Sequence, residues 1–176
     1  MARENRKTSF EYALRDEGEN LHSFRGLKKY GITLEVLQEF SHKDATSSVL
    51  AAIDRRSAFK LWHQIYWKHL SCDSLTDGLD YFVFDSSLVC GGPRVVGGWL
   101  QLLAFPAGTG SFDESIEYLN SIELETAICG VEFYRRRRLR CSPTWPVLGA
   151  EWTNRCNRAK QRALVLGAST KVKETA

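Results

Sequence analysis

Glu17 is the residue whose surroundings in the sequence could do chemistry. It continues the series Phe10, Ala13, Leu14, Glu17, the i, i+3, i+4, i+7 spacing of one helix face, so it points where the core should be. Gly18 follows as a plausible C-cap, which puts Glu17 in the last helical turn. There the helix macrodipole is negative, and burial adds a desolvation cost. Both push a carboxyl pKa upward. A carboxylic acid kept protonated near neutrality is what a glycosidase needs to hand a proton to a leaving oxygen. The plain alternative is a Glu that frays into solvent beside Gly18.

Other chemistry finds little support. Ser86, Ser87 and the cysteines lack a partner motif, and no G-x-S-x-G or Walker loop occurs. The five cysteines are odd in number and widely spaced without C-x-x-C, so reduced, mostly buried thiols are expected. His63 and His69 lie six apart, on different helix faces. Neither a metal site nor a cofactor is expected.

The elements that must position Glu17 read as helices. Thr8 and Glu11 form a T-x-x-E capping box ahead of the Phe10 series. Thr33 caps a second helix through Phe40, and Asp54 a longer one with Ala58, Trp62, Ile65, Tyr66 and His69 on one stripe. Residues 79–89 are mostly apolar and fit either a strand or a buried helix. Gly91 and Gly92 break that run, with Pro93 placed at a helix N1 position, and a helix over 95–105 follows. Pro106 to Gly110 is a loop; helices near 113–121, 122–140 and 149–166 follow, and residues 169–176 read as frayed. No clear hairpin signal appears. The fold class is all-α.

Length and composition agree. The 176 residues are 43% apolar and 26% charged, which suits a soluble globular chain of about one domain. No apolar run approaches the ~18 residues of a membrane span, and the polar start from Met1 to Lys7 predicts no secretory signal. Synthesis in the cytoplasm is therefore expected.

The net charge of +3 hides an asymmetry: residues 132–162 hold nine Lys/Arg against two Asp/Glu. Arg135, Arg136, Arg137 and Arg138 are consecutive on a predicted helix and span ~300° of it, so at least one must pair with a carboxylate or a ligand. Arg155, Arg158 and Arg162 make a second stripe. These residues are candidates for polyanion contact with an envelope or a virion component, although no DNA-reading motif accompanies them. A solvated helix face is the simpler reading. The five tryptophans are expected mainly in the core, with a glycan groove as the alternative.

From Glu17-Gly18 and Tyr30-Gly31-Ile32-Thr33 onward, the sequence resembles glycoside hydrolase family 108, the lysozyme-like N-acetylmuramidases of phage endolysins and bacterial secretion activators. The resemblance continues through Tyr66-Trp67, residues 78–85, Gly91-Gly92 and Leu100-Gln101. Over Phe133-Tyr134, Pro143 to Trp145 and Gly149 to Arg155 the chain looks like the family's peptidoglycan-binding part. The matches run in order from about residue 8 to 166.

The resemblance implies a lysozyme-like compact helical domain with Glu17 as catalytic acid, and Tyr30, Thr33, Asp85 and Trp152 as glycan-binding residues. It divides the chain into 8–90, 91–166 and a tail at 167–176, and the Gly91-Gly92-Pro93 junction, too short for a tether, predicts that the first two pack as one unit. The implied function is peptidoglycan hydrolysis at the β-1,4 bond after N-acetylmuramic acid. Phage or prophage origin is expected with it, and action after holin-type release or on the virion. The loop departs from the family pattern. Ser23 stands where an Asp is expected and Lys28 where a Thr is, and Asp16 and Glu19 lie nearby without matching the motif. A catalytically degenerate binding or assembly protein is the alternative.

Overall fold

The computed structural model describes residues 2–19, 22–23 and 26–174. Helix α1 (Ala2–Glu17) leads to three short antiparallel strands, β1 (His22–Ser23), β2 (Gly26–Lys29) and β3 (Ile32–Thr33). Helices α2 (Leu34–Phe40), α3 (Ser47–Ala51) and α4 (Arg55–Leu61) follow, and α4 continues as a π-helix over Trp62–Trp67. After a 3₁₀ turn (Cys72–Ser74) come α5 (Leu79–Cys90), α6 (Pro93–Ala104), α7 (Phe112–Ser121), α8 (Leu124–Arg140) and α9 (Trp145–Glu174).

Helix α5 is the axis of the molecule. Of its twelve residues only Val89 is not buried, the polar Asp80, Asp85, Ser86 and Ser87 included, and α1, α6, α8 and α9 pack against it. This resolves the ambiguity of residues 79–89 in favour of a helix. Phe10 anchors α1 in an aromatic cluster, with its ring centroid 5.0 Å from Phe84 and 5.5–5.7 Å from Phe59, Trp62 and Trp67. Trp62, Ile65, Tyr66 and Trp67 of the π-helix are all buried.

Several expectations are corrected. Helix α1 begins at Ala2, so Thr8 and Glu11 are interior rather than a capping box, and Glu11 pairs with Arg55. His69 leaves the stripe of Trp62 and Tyr66; it is exposed, edge-on to Phe40. Helix α9 extends to Glu174, past the expected stop at 166. Phe133 is 59% exposed. Residues 22–33 contain a hairpin where none was signalled. Its turn, Tyr30-Gly31, has φ of 51° and 73°, the two-residue turn that matches strand twist but needs left-handed backbone. A bulky Tyr at the first turn position hides that signal.

Candidate functional site

Five elements converge on one buried cluster of charge. Helix α1 ends on Glu17, whose side chain is 1% exposed. Gly18 takes up a left-handed φ of 63°, and its amide donates back to the Leu14 carbonyl, closing the helix. The hairpin lies over this end. Trp62 Nε1 donates to the Tyr30 carbonyl at 2.9 Å and pins the turn, so that Lys28 on β2 reaches Glu17 Oε2 at 2.6 Å through Nζ. Gly31 passes so close that a Cβ there would sit 2.9 Å from the Glu17 carboxyl carbon.

Helix α9 supplies the second partner. Arg155 donates through Nη1 to Glu17 Oε1 and through Nη2 to Asp85 Oδ1 at 2.7 Å. Asp85, on α5, also accepts from Arg135 Nη1 of α8 at 2.7 Å, and Arg135 donates to Ser86 at 3.3 Å. Two carboxylates thus face three cations, and Asp85 and Arg135 are wholly buried. Among the described residues, Arg135 Nε and Nη2 and Arg155 Nε have no hydrogen-bond partner.

This reverses the expected electrostatics of Glu17. Burial does raise its pKa, and alone it is the largest influence, but Arg155 and then Lys28 together outweigh it and hold the carboxyl below its usual value. Glu17 is therefore ionised at neutrality, with both oxygens in ion pairs. Asp85 is driven the same way: burial raises it, and Arg155 and Arg135 bring it down to about 2. Tyr66 lies near enough for the Glu17 charge to add to the burial that raises its phenol.

The other predicted site residues have other employment. Tyr30 is buried in the hairpin turn, and Thr33 caps α2 by accepting from the Val36 amide at 3.3 Å. Asp85, expected to touch glycan, is fully buried and structural. Trp152 is half-buried, tilted against Trp145 at 6.3 Å. Ser23 pairs with Gly26 across the β1–β2 ladder.

Asp16 is held by Arg158 and Arg162, so the second arginine stripe serves internal carboxylates rather than a surface partner. Within the run of four arginines, Arg135 is 0% exposed and cannot meet a polyanion. Arg136 pairs with Glu132 and Asn157, and Arg137 and Arg138 remain exposed. Among the described residues no His/Cys/Asp/Glu group is arranged to hold a metal, and no helix is long and apolar enough to cross a membrane.

Three comparisons bear on this arrangement. The solved "Structure of Brucella abortus SagA" superposes with a TM-score of 0.81, covering 94% of this chain and 97% of that one. Sequence identity is 21%, so the likeness is one of fold. A search of curated proteins finds no significant match. The family model for Glycosyl hydrolase 108 matches residues 14–91, which contain Glu17, Lys28 and Asp85 but neither Arg135 nor Arg155. Residues 14–91 are thus similar to the Glycosyl hydrolase 108 family, within a mostly helical fold shared with the Brucella structure.

Proposed function

We propose that this protein is a peptidoglycan N-acetylmuramidase of restrained activity, with Glu17 as general acid for the β-1,4 bond after N-acetylmuramic acid and Lys28 as the residue that holds it off. One observation carries the proposal. Of Glu17's two partners, Arg155 is 9% exposed and fixed between two carboxylates, whereas Lys28 is 31% exposed on a flexible stem at the solvent side. Withdrawal of Lys28 leaves burial opposed by Arg155 alone, which raises the Glu17 pKa and opens one carboxylate oxygen.

Among the described residues Asp85 and Asp16 are both ion-paired, position 23 is a serine, and the exposed Glu19 is engaged with the Tyr30 hydroxyl. Hydrolysis is then carried by one protein acid, with the acetamido group of the sugar assisting at the anomeric carbon, as in substrate-assisted glycosidases. Loss of the second carboxylate fits a slow enzyme. The exposed Arg137 and Arg138 are suited to an anionic envelope or virion component. Phage-type delivery, by holin release or on the virion, is supported by the family resemblance alone.

Turbidity of permeabilised Gram-negative cells tests this reading. Lys28→Thr should lyse at least ~10-fold faster than wild type, a barrier change of ~1.4 kcal/mol, and Glu17→Gln should not lyse at all. Equal rates for all three proteins contradict the proposal. The double ion pair on Glu17 favours a second reading, a non-catalytic peptidoglycan-binding or assembly protein. That reading stands if wild type and Lys28→Thr both leave cells intact while purified sacculi retain the protein.

A further inference from the structure

A second concave site lies on the other stretch of α1, roughly 10–16 Å along the helix from Glu17 at 1.5 Å per residue. It is a cavity of about 370 Å³ between α1 and α4. Phe10 and Phe59 form its apolar floor, with ring centroids 5.5 Å apart, and Phe59 is itself stacked on Trp62. Four cations line it, Arg6 and Lys7 from α1 and Arg56 and Lys60 from α4, and among the described residues no carboxylate does. Arg56, Phe59, Lys60 and His63 sit at i, i+3, i+4, i+7, so one face of α4 and its π-helical continuation delivers both charge and ring.

The pairing pattern makes this more than a solvated basic face. Elsewhere on the molecule the arginines beside carboxylates are paired, as Arg55 is with Glu11 and Arg158 with Asp16. Here, among the described residues, Lys7, Arg56 and Lys60 have no carboxylate within 4.0 Å, and Asp73 reaches Arg6 only at 3.8 Å while accepting from Trp67 at 2.8 Å. Arg6 Nη1 donates to His63 Nε2 at 2.8 Å. A guanidinium has no acceptor, so His63 is held neutral with its proton on Nδ1. Three cations without a carboxylate within 4.0 Å, and Arg6 paired only loosely with Asp73, over an aromatic floor suit a phosphate dianion that carries an apolar or ring substituent, the phosphate on the guanidinium forks and the substituent on the Phe faces.

We propose that this cavity is an organophosphate-binding site, distinct from the Glu17 cluster. The phosphate ester comes either from a soluble molecule or from the headgroup of an anionic lipid, and the recognising chemistry is the same.

The test uses the full chain and its Arg56→Gln/Lys60→Gln variant. Both substituted residues are exposed, and circular dichroism should show the fold unchanged. Calorimetric titration with phenyl phosphate should show saturable binding, at least ~10-fold tighter than inorganic phosphate and at least ~10-fold weaker in the variant. Sedimentation with phosphatidylglycerol vesicles, against phosphatidylcholine, distinguishes the lipid source, and that binding too must fall in the variant.

An independent readout is the His63 ring by NMR. Burial, then Arg6 and then Lys68 hold its pKa below the ordinary histidine value, against Asp73. Bound phosphate beside Arg6, Lys7, Arg56 and Lys60 should raise it. Absence of binding to both probes overturns the proposal, and so does equal binding by wild type and variant, or a His63 titration that saturating ligand leaves unmoved.

Discussion

Arg155 joins two carboxylates that lie 68 positions apart in the chain and comes itself from a third, more distant segment. Its partner Asp85 shows what the network contributes. Held at about 2 against an ordinary 3.8, Asp85 adds stability that is complete above its ordinary range and is lost as pH falls towards about 2. Removing one cation from a buried pair leaves charge uncompensated, at ~3–5 kcal/mol. Because Asp85 keeps Arg155, Arg135→Met should cost about 3 kcal/mol in urea unfolding at pH 7, with a smaller further loss on acidification to pH 3 than wild type shows. Burial of Glu17 was legible from the Phe10 series. Its charge state was not, because the residue that decides it, Arg155, stands 138 positions away. Arg155 did leave a trace: it adjoins Cys156 and precedes Ala159 and Ala163, the buried face of α9.

At the scale of elements, α9 sits where it does because its inner face is small. Ala159, Ala163 and Gly167 let the helix approach the start of α5 so closely that a Cβ on Gly78 would lie 2.1 Å from the Ala163 carbonyl oxygen. Gly78 also has φ of 93°. Gly78→Ala should therefore lose about 2–4 kcal/mol from strained backbone and overpacking together. Gly98→Ala is the opposite case: within α6, with nothing inside 4 Å of the added methyl, it should gain about 0.5–1 kcal/mol. Thermal melts of the two variants should move in opposite directions. Helix positions were readable because apolar periodicity persists over many residues. The hairpin was not, since its strands are two to four residues long and its turn begins with Tyr30 rather than Asn or Gly.

In the whole molecule, the family region ends just past α5, yet α5 is covered by α1 on one side and by α6, α8 and α9 on others. Cutting after Cys90 would leave Phe82 and the Asp85 carboxylate without their cover, because Arg135 and Arg155 both come from beyond it. The intact chain should unfold in a single transition followed alike by fluorescence and circular dichroism, and a 1–90 fragment should show no cooperative melt. Superposable two-state melts of fragment and whole would contradict this. The Pro93 start of α6 was plain in the sequence; the sharing of α5 between halves was not, because a helix buried on every side does not say what covers which face.

The central claim is that Lys28 adds to Arg155 in keeping Glu17 ionised and closes its second oxygen. Its most direct measurement is the pH titration of the Glu17 side-chain carboxyl by carbon-13 NMR, in wild type and in Lys28→Thr. The account predicts a wild-type midpoint below the ordinary Glu value of 4.5 and a clear rise in the variant. A wild-type midpoint above that value, or a variant that titrates where wild type does, would contradict it.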